Sequence, residues 1–180
     1  MSTKLAEKTT YAIDPAHTTV EFVVRHLMIT KVRGRFAGVA GTVELEGGDV
    51  PTSIQARIDA STIDTRESQR DTHLKSADFF EVEKYPALDF ISTRIEGDSG
   101  GFTIHGNLTI HGVTREVALK GEFEGRGADP WGGQRIGYSA STTINRKDYG
   151  LTWNAALETG GVMVGDEVRI ELNVQAILQN

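Results

Sequence analysis

The chain has no cysteine, and this absence removes several kinds of chemistry at once. Disulfide bonds, thiolate nucleophiles and cysteine-ligated metal centres are all excluded. No apolar run approaches the roughly 20 residues that a membrane-spanning helix needs. Proline is also scarce, with 4 residues against 20 glycines. That ratio fits many tight turns between strands better than a disordered chain.

The net charge of −6 limits the partners that the chain can bind through charge. Nucleic-acid phosphates and anionic membrane surfaces both attract basic proteins. We therefore expect no nucleic-acid partner and no general attraction to anionic lipid. Residues 1–10 are polar. They predict a flexible N-terminal tail without a signal peptide, and hence a soluble, cytoplasmic protein.

Apolar and polar residues alternate in almost every segment that could form regular structure. Val20, Phe22 and Val24 share one parity in an early segment, and Leu108 and Ile110 share one in a later segment. Successive side chains of a strand point to opposite faces, so each segment has one apolar face. Strands with nothing else to pack on must close around these faces. The pattern predicts an all-β, antiparallel barrel of about eight strands.

One short stretch breaks the alternation and predicts a helix. Residues 66–76 contain good helix formers, and Asp64 or Thr65 could cap them, with Glu67 in capping-box spacing to Asp64. Phe79 and Phe80 follow directly. We expect this helix to lie near the mouth of the barrel.

The five histidines lack the spacing of a metal site. His105 and His111 share a strand but would lie about 20 Å apart, too far for joint coordination. No strand-to-helix nucleophile turn and no glycine-rich phosphate loop is present in the sequence. The sequence therefore predicts no metal site and no catalytic residue.

The interior of an eight-stranded barrel can be filled by side chains or can hold one slim ligand. Glycine and alanine at inward parity leave room rather than fill it, and they occur at Gly34, Ala56, Ala60, Gly106 and Ala140. The pattern alone leaves both interpretations open.

Several short motifs, in a fixed order from about residue 11 to the C-terminus, match those of a known family. They are Asp14-Pro15-Ala16-His17, Arg70-Asp71-Thr72-His73-Leu74, Asp78-Phe79-Phe80, Gly106-Asn107-Leu108-Thr109-Ile110-His111-Gly112 and Ile144-Asn145-Arg146-Lys147-Asp148-Tyr149-Gly150. In order and spacing, the chain resembles the YceI-like polyisoprenoid-binding family.

This resemblance implies an extended, lipocalin-like barrel over residues 11–180, with a long apolar tunnel. It also implies that the tunnel carries a polyprenyl lipid or an isoprenoid quinone, without catalysis and without a required cofactor. On the inward parity, we expect the tunnel to be lined by Phe22, Val24, Phe36, Ile58, Phe79, Phe80, Leu88, Phe90, Leu108, Ile144 and Trp153. Candidates for contact with the polar end of the lipid are His26, Arg70 and Arg146.

Two other functions remain open at this point. An enzyme acting on a lipid head group could use Arg70, Asp71, His73 or Arg146, if these side chains converge. A stress or assembly protein would instead have a filled core and a protein partner. An elongated barrel with an open edge would also allow strand pairing between two copies, so a homodimer is a further expectation.

Overall fold

Antiparallel strands dominate the computed structural model, which describes residues 5–157 and 162–180. The short helix α1 spans Ser68–Lys75. The strands are β1 Lys8–Ile13, β2 Thr19–His26, β3 Thr30–Phe36, β4 Val39–Glu46, β5 Ser53–Asp59, β6 Ala87–Asp98, β7 Gly101–Ile110, β8 Val113–Ala128, β9 Gln134–Asn145 and β10 Val164–Leu178. Within the described chain, no helix has the length and apolar content that a bilayer crossing requires.

The sheet closes on itself through its first and last strands. The order β1-β4-β5-β6-β7-β8-β9-β10 forms a ring, because β1 also pairs with β10, with Tyr11 opposite Leu178. The hairpin of β2 and β3 continues the wall, since β2 pairs with the other half of β10. β1 and β2 are thus two halves of one bent strand, and β3 and β4 are two halves of the next. The ten segments therefore form eight barrel strands, two of which are bent, and this confirms the predicted barrel.

Local hydrogen bonds hold the two bends in place. Pro15 has no backbone N–H and opens a 3₁₀ turn between β1 and β2, and the Asp14 carboxylate accepts the Ala16 N–H at 3.0 Å. At the other bend, Ala37 and Gly38 both donate to Thr62 Oγ1 at 3.1 Å. Backbone N–H groups that leave the strand pairing at the two bends therefore find side-chain acceptors.

Strand β1 was not expected from the sequence. Residues 8–10 were predicted to belong to a flexible tail, but they pair with β4, and Lys8 Nζ lies 3.0 Å from Glu44. The segment has little apolar content of its own apart from Tyr11 and Ile13. Its position is set by distant strands, which local sequence does not report. Residues 1–4 lie outside the described residues.

The helix begins later than predicted, with a different cap. The Glu67 carboxylate accepts the N–H groups of Gln69 and Arg70, so Glu67 caps α1 in place of Asp64 or Thr65. The predicted capping box is therefore wrong. Thr65 does not cap the helix but is buried beside it. Its backbone N–H donates to the Asp71 carboxylate, and its hydroxyl oxygen accepts a hydrogen bond from Arg70.

Glycines on the inner face make room for aromatic rings. A Cβ at Gly34 would collide with the Phe22 ring, and one at Gly106 would collide with the Phe90 ring. The prediction that these two glycines leave free space is wrong, because neighbouring side chains occupy that space. Gly121 accommodates Phe102 in the same way.

Candidate functional site

An apolar cavity of about 230 Å³ occupies the interior of the barrel. All ten strands and α1 contribute to its wall. Most lining side chains are aliphatic or aromatic, because the inward parity of each strand carries apolar residues. The interior is therefore neither a filled core nor a water-filled channel, and it suits an apolar molecule.

Ten of the eleven predicted lining residues lie on this wall. They are Phe22, Val24, Phe36, Ile58, Phe79, Phe80, Leu88, Phe90, Leu108 and Ile144. Their placement follows from strand parity and, for Phe79 and Phe80, from the segment that follows α1. Their contact with a ligand stays a prediction.

Helix α1 and the segment after it cover one end of the cavity. Leu74 is the one apolar residue of α1, and it lines the cavity together with Phe79 and Phe80. The Phe80 ring packs edge-on against Phe36 with centroids 5.9 Å apart, and Phe36 packs on Phe22 at 5.7 Å. Leu74 was missed from the sequence, although its isolation on a polar helix was a usable signal.

Trp153 lies behind this cover and not on the cavity wall. Its ring is 5.4 Å from Phe79 and 4.7 Å from the imidazole of His73, in tilted and edge-on arrangements. The prediction that Trp153 lines the tunnel is therefore wrong. The residue supports the cover from outside, in an aromatic cluster with His73 and Phe79.

The opposite end of the cavity is held by the turn between β4 and β5. Pro51 of this turn is buried and lines the cavity. Tyr138 on β9 donates its hydroxyl hydrogen to the Asp49 carbonyl oxygen at 2.6 Å. Arg126 on β8 donates to the Gly48 carbonyl oxygen at 3.3 Å. Desolvation also raises the pKa of the Tyr138 phenol above its usual range, so this hydroxyl remains a donor.

Arg146 was expected to contact a polar head group, but its guanidinium is already engaged. The residue is only 4% exposed. It donates to four backbone carbonyl oxygens, at distances of 2.6 to 3.3 Å, and these belong to Leu151, Trp153, Val164 and Gly165. Burial lowers its pKa, with Asp166 acting in the opposite direction. Arg146 lines the cavity and acts as a clamp, because its hydrogen bonds hold the two ends of the connection between β9 and β10 together.

The other two polar candidates do not reach the cavity. His26 ends β2 opposite Val164 and is absent from the lining, because the wall formed by β2 ends at Val24. Arg70 donates its Nε hydrogen to Thr65 Oγ1 and an Nη2 hydrogen to the Thr65 carbonyl oxygen, both at 2.8 Å. These two hydrogen bonds hold the segment that precedes α1. Neither position supplies a head-group contact in this arrangement.

The residues of the catalytic alternative are also held apart by structural bonds. Asp71 binds the backbone N–H of Thr65 at 2.9 Å, and His73 Nε2 lies 2.8 Å from the Asp78 carboxylate. Arg70 and Arg146 bind carbonyl oxygens in different loops. The described side chains therefore form no shared catalytic centre.

The remaining histidines serve local contacts. His17 Nδ1 lies 2.7 Å from Asp14, and His105 Nε2 lies 3.5 Å from Glu96. His111 is largely buried, with its ring 4.8 Å from that of Tyr85. Among residues 5–157 and 162–180, no three histidine or acidic side chains gather in a way that could hold a metal ion.

Comparison with known proteins places this barrel among others of its kind. The YceI-like domain matches residues 11–176. A UPF0312 protein of Staphylococcus aureus (strain MSSA476) is 37% identical over 169 residues, covering 93% of this chain and 96% of the relative. A UPF0312 protein of strain MW2 matches to the same extent.

Solved structures share the fold. BcnA of Burkholderia cenocepacia aligns with a TM-score of 0.78 at 22% identity, over 91% of this chain and 99% of that one. The Campylobacter jejuni YCEI protein gives 0.75 at 26% identity, over 87% and 90%. A polyisoprenoid binding domain from Saccharophagus degradans gives 0.69 at 18% identity, over 98% and 100%. By the domain match and its curated relatives, the chain belongs to the YceI-like domain family.

Proposed function

We propose that this chain binds a long isoprenoid lipid in its cavity and transports or stores it without catalysis. The ligand is a polyprenyl chain or the tail of an isoprenoid quinone, and no cofactor takes part. One observation carries the proposal: an apolar cavity of about 230 Å³, walled by every strand of the barrel. The neighbour from Saccharophagus degradans, described as a polyisoprenoid binding domain, supports this class of ligand.

The size of the cavity suggests a chain length. A water takes about 30 Å³ of liquid volume and a methylene is of similar size, so the cavity of about 230 Å³ holds on the order of eight such groups. At that space per carbon, one to two isoprene units fit inside while the side chains keep their positions. A longer chain must project from the barrel or displace side chains.

The driving force for such binding is the burial of hydrocarbon. Each buried methylene contributes about 0.8 kcal/mol, so about eight enclosed carbons give on the order of 6 kcal/mol, and a longer chain that displaces side chains gives more. Loss of translational freedom and ordering of the flexible chain offset much of this gain. A charged head group gains nothing in this interior, since the one buried cation, Arg146, already donates to four carbonyl oxygens among the described residues.

The two alternatives have less support. A filled-core interaction protein would have no cavity of this size. A lipid head-group enzyme would need Arg70, His73 and Arg146 in one site, whereas each is held by a separate structural partner.

The first test is native mass spectrometry of protein from its own host, followed by organic extraction of the bound molecule. One isoprenoid lipid per chain is the expected result. The emptied protein is then titrated with prenols of increasing length. We expect the affinity to rise with each isoprene unit until the chain fills the barrel, and then to level off. A protein that takes up no lipid in either experiment would overturn the proposal.

Two variants locate the binding site. Leu108→Trp and Phe90→Trp each place extra bulk on the cavity wall, and they should weaken prenol binding at least ten-fold. The matched control is Ile91→Trp, because Ile91 neighbours Phe90 on β6 but is 53% exposed on the outer face. Unchanged affinity in the folded cavity variants would show that the ligand binds elsewhere.

A further inference from the structure

Apolar side chains are exposed at the tip of the hairpin formed by β2 and β3. Met28 is 61% and Ile29 is 75% exposed. Val162 is also exposed, next to Met163, whose carbonyl oxygen accepts the Leu27 N–H at 2.7 Å. Such neighbouring apolar side chains on a surface indicate a binding region more often than isolated ones do.

The backbone at this tip is poorly suited to the residues it contains. Leu27 and Met28 both have positive φ, at 54° and 59°, and the Ile29 N–H donates to the His26 carbonyl oxygen at 3.1 Å. Two consecutive residues with positive φ, closed by this hydrogen bond, have the geometry of a type I′ turn, which favours Asn-Gly. Leu27 and Met28 are therefore unfavourable here in backbone conformation, and Met28 and Ile29 are unfavourable in exposure. Folding alone does not account for them.

The tip lies at the end of the barrel that carries α1. Val24 lines the cavity, and two residues later His26 pairs with Val164, which also lines it. The strand then turns at Leu27 and Met28. The exposed apolar residues thus extend from the rim of the cavity.

The hairpin is positively charged, although the whole chain carries −6. Residues 25–33 include Arg25, Lys31 and Arg33 and no acidic residue. Arg25 and Lys31 are exposed, and Arg33 has an acidic neighbour, Glu171, at 3.8 Å. Apolar side chains flanked by exposed cations match the boundary between anionic head groups and acyl chains.

We propose that the tip of residues 27–29 inserts into the interface of a bilayer containing anionic lipids. The insertion brings the α1 end of the barrel to the membrane. It gives the proposed lipid ligand a route between bilayer and cavity, and in that respect it rests on the proposed function. A second copy is a poorer occupant, because two such tips would bring like charges together.

The test is flotation of the full chain with vesicles of phosphatidylcholine, with and without phosphatidylglycerol. We expect binding to vesicles that contain phosphatidylglycerol, and weaker binding as salt increases. The double variant Leu27→Asn, Met28→Gly should lose at least ten-fold in vesicle affinity. It should also unfold at a higher temperature than the original chain, because Asn-Gly suits the turn. Lys31→Gln should weaken binding about five-fold.

Ile91→Asn is the control, since it removes an exposed apolar side chain from the barrel wall and should leave vesicle binding unchanged. Equal vesicle binding by the double variant and the original chain would overturn the proposal, as would a lack of binding by the original chain. A dimer in solution that the double variant dissociates would also overturn it, because the tip would then be a subunit interface. Prenol titration of the same proteins without vesicles tests the cavity separately, so the two proposals can fail independently.

Discussion

Phe22 and Gly34 lie directly opposite each other on β2 and β3, and the Phe22 ring occupies the place of a side chain at Gly34. Phe102 and Gly121 have the same relationship on β7 and β8. An aromatic ring lying over a glycine covers the bare backbone and brings the ring close to the wall. In this barrel, the arrangement keeps large rings from filling the centre of the cavity.

Replacing Gly34 by alanine should force the Phe22 ring away from the wall. We expect the free energy of unfolding to fall by about 1–3 kcal/mol, as in other overpacked cores. The measurement is urea unfolding of the variant and of the double variant Gly34→Ala, Phe22→Leu, which should recover part of the loss. Gly127→Ala is the matched control on β8, where an added Cβ has open space. A Gly34→Ala protein as stable as the original would contradict the close approach.

Arg146→Lys should be severely destabilising despite keeping the charge. A lysine cannot present the planar array of donors that binds four carbonyl oxygens, so buried acceptors lose their partners. We expect a loss of about 2–4 kcal/mol in unfolding free energy and faster hydrogen exchange in residues 151–157. Lys147→Met, at the exposed neighbouring position, is the control. Unchanged exchange in this segment would rule out the clamp.

Two buried tyrosines should respond oppositely to loss of the hydroxyl. Tyr149 is 1% exposed, and its hydroxyl finds no hydrogen-bond partner among the described residues. Desolvation raises its pKa to about 12. Tyr149→Phe should leave stability unchanged or raise it by up to about 1 kcal/mol. Tyr138→Phe removes the bond to Asp49 and should cost about 1–2 kcal/mol by thermal unfolding. A comparable loss in both variants would indicate that Tyr149 has a partner, such as a buried water.

Asp14 should make stability depend on pH in acid. Hydrogen bonds from Arg135 and then from His17 hold its pKa at about 2, below the ordinary 3.8. A lowered folded-state pKa means that the stabilisation is complete above about pH 4 and is lost as pH falls toward 2. Asp14→Asn should therefore be less stable at pH 7, by about 1–2 kcal/mol, and the difference should shrink by pH 2.

Urea unfolding at a series of pH values measures this effect. Glu83→Gln removes an exposed carboxylate and serves as the control. A constant stability difference between Asp14→Asn and the original chain from pH 7 to pH 2 would show that the carboxylate charge is not the cause.

The barrel was predictable because parity is a local property. The bounds of β4, from Val39 to Glu46, follow from alternation and flanking glycines. β1 was not predictable, since its pairing with β4 and β10 depends on residues far away in the chain. The helix was found, but its cap was not, because Arg66 takes a positive φ of 65° and displaces the start of the helix to Ser68.

Within the site, the alternation of apolar and polar residues correctly located the apolar wall. It did not predict which polar side chains would be free to bind a head group. Phe90 and Leu108 lie where alternation places them. Arg146 and Arg70 look like head-group ligands in the sequence, yet each uses its donors on carbonyl oxygens of nearby loops. The direction of a long side chain depends on which acceptors the folded loops present, and alternation contains no information about that.

The pairing of β1 with β10 determines when, during synthesis of the chain, the cavity can form. Tyr11 meets Leu178, and Thr18 exchanges hydrogen bonds with Gln175, so the two ends of the chain complete the wall. Nearly the whole polypeptide must leave the ribosome before β10 can pair with β1. Contacts so distant in sequence also slow folding. The wall of the cavity is therefore complete only after synthesis has finished, and the cavity cannot enclose any molecule while the chain is still being made.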